Sequence, residues 1–118
     1  MSLSEYVKAK EYYEKALAIS AEIGDRTGEG NWYGNLGNVF DSLGKYVKAK
    51  ECCEKALAIS TEIGDRAGEG NLYGNLGDVF HSLGEYVKAK EYCEKALAIT
   101  WSSGNTSKNV SSTGNCVY

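Results

Sequence analysis

The chain has no proline, one histidine, one methionine and two phenylalanines among 118 residues. With proline absent, glycine, at 14, is the main turn residue left. A lone histidine leaves no Ser-His-Asp set and no Cys-His pair with a plausible general base, so no catalytic residues and no enzyme are expected. There is no excess of positive charge: 13 Lys and Arg stand against 16 Asp and Glu, a net of −3. A nucleic-acid partner wants a basic face, so none is expected. No apolar run approaches the ~20 residues of a membrane span, and no membrane partner is expected. The start, MSLSEYVKAK, has no apolar core behind a basic tip, unlike a secretory signal. A cytoplasmic, reducing compartment is the expectation, with Cys52, Cys53, Cys93 and Cys116 as thiols.

What the chain has is a repeat. Residues 5–44 align with 45–84 without a gap. The copies differ at Glu5/Lys45, Tyr12/Cys52, Tyr13/Cys53, Ala21/Thr61, Thr27/Ala67, Trp32/Leu72, Asn38/Asp78 and Asp41/His81. A third copy starts at Glu85 and stops near Ile99, giving way to TWSSGNTSKNVSSTGNCVY. Ser2-Leu3-Ser4 matches Ser42-Leu43-Gly44, so the chain is expected to start inside a unit. The units are 1–23, 24–63 and 64–101, together a repeat array over 1–101. Residues 102–118 form a polar tail whose composition predicts coil.

Each unit carries two helical patterns. In the first, over 5–23, Tyr6, Ala9, Tyr13, Ala16, Leu17 and Ile23 fall on one apolar stripe. Lys8, Lys10, Glu11, Glu14 and Lys15 lie mostly off it. The second is glycine-rich. Asp25 or Thr27 caps its start. Tyr33, Leu36, Phe40 and Leu43 follow at helical spacing, and Gly44 ends it. No alternation supports a strand. The order along the chain is the 5–23 type (B), the glycine-rich type (A), then B, A, B: five helices. Sequential antiparallel helices at fixed period predict an all-α solenoid.

The motif Tyr33, Leu36, Gly37, Phe40, Gly44, Tyr46, Ala49, Cys53 and Ala56 resembles the tetratricopeptide repeat. It returns as Tyr73, Leu76, Gly77, Phe80, Gly84, Tyr86, Ala89, Cys93 and Ala96. The usual unit is about 34 residues and ends near a proline. Here it is about 40, with IGDR in the proline's place. That longer variety is similar to the Partner of Inscuteable / LGN adaptors, and Leu36-Gly37-Asn38 spells the name. Leu76-Gly77-Asp78 departs from it, and no G-protein-binding GoLoco motif follows, so only the repeat module carries over. The resemblance implies a right-handed superhelix of helix pairs. Its concave groove, lined by the first helix of each repeat, takes a partner's peptide. The lysines and arginines of a chaperone-tail clamp are replaced by Gly34, Asn35, Gly74 and Asn75, so chaperone tails are not expected.

The glycine-rich stretch does not hold phosphate. No apolar strand precedes it, and the Gly-Lys-Ser/Thr ending is missing. On a helix, Asn31, Asn35, Asn38 and Ser42 form one polar row beside Gly30, Gly34 and Gly37. Asn71, Asn75, Asp78 and Ser82 repeat it beside Gly70, Gly74 and Gly77. Amides donate and accept at once, which suits an extended peptide backbone. The plainer alternative is packing glycines beside solvated asparagines. Asp41 and His81 extend the same face. Arg26 and Arg66 either read acidic groups on a ligand or pair with Asp25 or Glu29. Asp78 and His81 supply two ligands where zinc needs three or four, so no metal or other cofactor is expected. Cys53 and Cys93 are read as small buried hydrophobes and Cys52 as outward-facing. Trp101, Val110, Val117 and Tyr118 are candidates to cover the last helix.

The expected function is a non-enzymatic adaptor that binds a peptide segment of another protein. The alternative is a structural module that forms homo-oligomers through uncapped ends.

Overall fold

The computed structural model describes residues 2–102. The polar tail, with Cys116 and the candidate covering residues Val110, Val117 and Tyr118, lies outside that range. So does the side chain of Trp101.

Among the described residues five helices run in order: α1 (Leu3–Ile23), α2 (Arg26–Ser42), α3 (Tyr46–Ile63), α4 (Arg66–Ser82) and α5 (Tyr86–Ser102). Local sequence sets each boundary. Ser2 and Glu5 make a reciprocal capping box at the start of α1. Asp25 and Asp65 cap α2 and α4, each accepting at 3.0 Å from the backbone N–H of Gly28 or Gly68. The IGDR turn works in two steps. Gly24 and Gly64 take left-handed φ values of 75° and 74°, which only glycine adopts freely. The next residue is then the cap, and its own N–H closes on Ser20 or Ser60 O at 2.8 and 2.9 Å. This turn stops the helix without proline.

Neighbouring helices pack in chain order, and α2 also meets α4 along a short inner contact. The result is a solenoid of antiparallel pairs with a 36 × 30 × 22 Å envelope. Its interior holds two clusters. Leu36, Phe40, Ala49 and Val79 form one. Cys53, Ala56, Leu72, Leu76, Phe80 and Ala89 form the other. The alanines of the motif are fully enclosed, because α2 and α4 leave no room for more than a methyl beside α3. Cys53 and Cys93 are buried as expected. Cys52 is not outward-facing; it is half-buried against Leu36 and Phe40's cluster.

The apolar stripe of 5–23 needs correcting at its end. Ile23 is 71% exposed, and the last inward residue is Ser20. Ser60 repeats this in α3. A serine fits because the capped first turn of the next helix comes down on it. A Cβ on Gly28 would lie 2.8 Å from Ser20 Oγ. The rest of the α1 stripe is only half-buried, since no helix covers its outer side within the described residues.

Candidate functional site

The inner side of the array carries a cavity of about 190 Å³ between α2 and α4. Asn31, Asn35 and Asn38 line it from α2, and Asn71 and Asn75 from α4. Spacing of three and four residues puts the three on one helical face, and the forty-residue period sets the second row beside the first. Asn35 and Asn75 are half-buried; Asn31, Asn38 and Asn71 are exposed. None of the five amides hydrogen-bonds another described residue. Each therefore has both its donors and its acceptor open toward the cavity or solvent.

Sequence reasoning missed the floor. Ile59, Ser60 and Ile63, from the last turns of α3, and Leu72 of α4 also line the cavity. The groove is therefore not built from first helices alone. A polar rim of amides sits over a small apolar patch. The available signal was Trp32/Leu72, a core-sized difference between copies.

The groove glycines divide by environment. A Cβ on Gly37 or Gly77 would lie 2.7 or 2.6 Å from Cys53 or Cys93 Sγ, so these are close-packing positions. On Gly30 or Gly70 it would meet Ile59 or Ile99 at 3.1 or 3.3 Å. Gly34, in the cavity wall, would meet only Leu72 Cδ2 at 3.9 Å, and Gly74 nothing within 4 Å. Packing explains Gly37 and Gly77. It does not explain Gly34 and Gly74, although glycine inside a helix costs about 1 kcal/mol relative to alanine.

The other candidates stand apart from the cavity lining. Asp41 and Asp78 lie toward the C-terminal ends of α2 and α4, close enough to interact. Burial, and then the charge of Asp78, raise the Asp41 carboxyl above its ordinary range. His81 packs edge-on against Tyr86 at 5.1 Å between ring centres. At the opposite ends, Arg26 donates to Glu29 at 2.8 Å and to both oxygens of Glu62 at 3.1 and 2.7 Å. Glu62 was not among the partners expected for Arg26, and Asp25 is engaged as the cap. Arg66 donates to Glu69 at 3.2 Å. Among the described residues no three His, Cys, Asp or Glu side chains converge as metal ligands. No described helix is long and apolar enough to cross a membrane.

Comparison with known proteins agrees with this architecture. The Tetratricopeptide repeat family profile matches residues 1–51 and 42–100. Human (Homo sapiens) G-protein-signaling modulator 1 is 53% identical over 32 residues, which is 27% of this chain and 5% of that protein. The crystal structure of BtubC (BKLC) from P. vanneervenii is similar with a TM-score of 0.77 at 31% identity. That match covers 84% of this chain and 41% of the other. The chain thus spans a small fraction of the first relative and under half of the second.

Proposed function

The chain belongs to the tetratricopeptide repeat family, and we propose that it is a non-enzymatic interaction module holding a partner's peptide in the groove between α2 and α4. The observation that carries this reading is the set of five unpaired amides over an apolar floor. An extended backbone presents one donor and one acceptor per residue, and asparagine answers both. An apolar side chain of the ligand settles on Ile59, Ile63 and Leu72. Gly34 lets the backbone approach the α2 axis. The groove spans two repeats, so the contact is short. The module works in a reducing, cytoplasmic setting, where Cys52, Cys53 and Cys93 stay as thiols.

The test starts from a peptide selected on residues 1–118 from a random display library. Asn35→Ala combined with Asn75→Ala should abolish its capture and leave the circular dichroism spectrum unchanged. Undiminished affinity in a calorimetric titration would refute the groove assignment.

A second reading, self-assembly, draws on the outer side of α1. There Tyr12, Ile19 and Ile23 share one flank and are between 59% and 71% exposed. One contact limits how the ends can join. Tyr13 stands where Cys53 and Cys93 stand, and a tyrosine does not fit under a helix that approaches as closely as Gly37. Light scattering that reports a monomer across a wide concentration range would exclude this reading.

A further inference from the structure

The two arginines, Arg26 and Arg66, open α2 and α4 at equivalent positions. Both are held on one side by a carboxylate one turn ahead. Nη1 of Arg26 donates to Glu29 at 2.8 Å, and Nη1 of Arg66 to Glu69 at 3.2 Å. Glu69 is itself buried, so it is a fixed support. On the other side the copies diverge. Nε and Nη2 of Arg26 grip Glu62 through two hydrogen bonds. Forty residues after Glu62 the chain has Ser102. Arg66 accordingly has no second carboxylate among the described residues. Its side chain is 63% exposed, against 43% for Arg26.

We propose that Arg66 anchors one carboxylate side chain of the groove's peptide, filling at α4 the place that Glu62 fills at α2. This rests on the groove reading above. The chain supplies its own template, because Arg26 with Glu62 shows which chemistry this guanidinium edge takes and in what geometry. A planar guanidinium presents two parallel donors that match the two oxygens of a carboxylate. Glu69 orients the fork before the ligand arrives. Asp65 and Gly68, on either side of Arg66 in the chain, are in the cavity wall. Asn71 follows five residues on, a rise of about 7.5 Å along the helix. Arg66 lies about 140° round the helix from Asn71, so a glutamate reaches it around the first turn of α4, past Asp65 and Gly68, from a peptide residue that runs beyond Asn71. Arg26 is already occupied, so the groove selects one acidic residue, at its α4 end. The sequence alone gave the two arginines the same role.

With only two arginines, the 15N-labelled chain has two Nε–H signals. Arg26→Lys and Arg66→Lys assign them. The probes are the blocked pentapeptide Ala-Ala-Glu-Ala-Ala and its Ala-Ala-Gln-Ala-Ala counterpart. The glutamate peptide should shift the Arg66 signal saturably and leave that of Arg26 in place. It should bind roughly twofold to fivefold tighter than the glutamine peptide, the range for exposed ion pairs. That advantage should vanish in Arg66→Gln. It should also vanish in Ser102→Glu, which copies Glu62 into the third unit. Equal affinity of the two peptides, with the side-chain amides of Asn71 and Asn75 moving, would overturn the anchor and leave the groove standing. No movement with either peptide would overturn both. An Arg66 shift without movement of Asn71 and Asn75 would place the carboxylate outside the groove and overturn the anchor as a peptide contact.

Discussion

Gly37 of α2 sits against Cys53 of α3 so closely that a Cβ on the glycine would lie 2.7 Å from the sulfur. The same pair recurs as Gly77 and Cys93, at 2.6 Å. No real Cβ tolerates that distance, and Cys53 has little freedom to move, being almost fully buried. Gly37→Ala should therefore destabilise the fold. Overpacking costs about 1–3 kcal/mol, and the helix-propensity gain of about 1 kcal/mol offsets part of it. Adding Cys53→Ala should recover much of the loss, since neighbouring sites couple. Urea denaturation of the two single variants and the double variant measures it.

Gly34→Ala is the same chemical change with the opposite expectation. Its Cβ finds only an ordinary contact with Leu72, so the fold should gain about 0.5–1 kcal/mol. The new methyl stands in the cavity wall, so peptide capture should weaken. A variant that melts higher and binds as well as before would remove glycine from the ligand contact.

The Arg26–Glu62 pair makes stability depend on acid. The hydrogen bonds from Arg26, and then its charge, hold the Glu62 carboxyl below its ordinary value of 4.5. A lowered carboxyl contributes stability that is present above that value and lost as pH falls through the lowered one. Glu62→Gln should flatten the stability curve in that acidic window, matching the parent below it and falling slightly short of it at neutral pH, a small difference because both groups are exposed. Denaturant midpoints at stepped pH values test this.

Asp41 behaves in the other sense. Burial and Asp78 raise its carboxyl above the ordinary 3.8. Its favourable contribution is present below that value and lost as pH rises through the raised one. At neutral pH the charged form is a penalty, so Asp41→Asn should stabilise, by no more than about 0.5 kcal/mol for so accessible a group. The gain should disappear below pH 3.8. Equal thermal stability of parent and variant at pH 7 would contradict it.

Burial pushes the Cys53 thiol up to about 12. It should stay unmodified by a thiol reagent at pH 8 in the native protein and react on unfolding. Cys52, half-buried, should react first. Peptide mapping after timed alkylation distinguishes the two.

Much of the fold was legible because the repeat states it more than once. Tyr33, Leu36 and Phe40 fix a helical face, and their return at Tyr73, Leu76 and Phe80 fixes the period. Asp25 and Gly24 mark the turn. The asparagine rows were equally plain, since spacing along a helix needs no tertiary information. Ile23 was misplaced because periodicity ignores the turn that lifts the chain off the core one residue later. Cys52 was misplaced because α2 and α3 lie close enough to cover two faces of one residue pair.

The sequence by itself determined five helices, their order and which residues share a face, since these follow from local geometry repeated at a constant interval. Only the tertiary structure decided what each shared face meets. It put α3's isoleucines beneath the asparagines, separated packing glycines from Gly34, and closed Arg26 with Glu62. The reason is physical. Arg26 and Glu62 are thirty-six residues apart. Whether two such groups touch depends on the distance and angle between helices, which no single helix encodes.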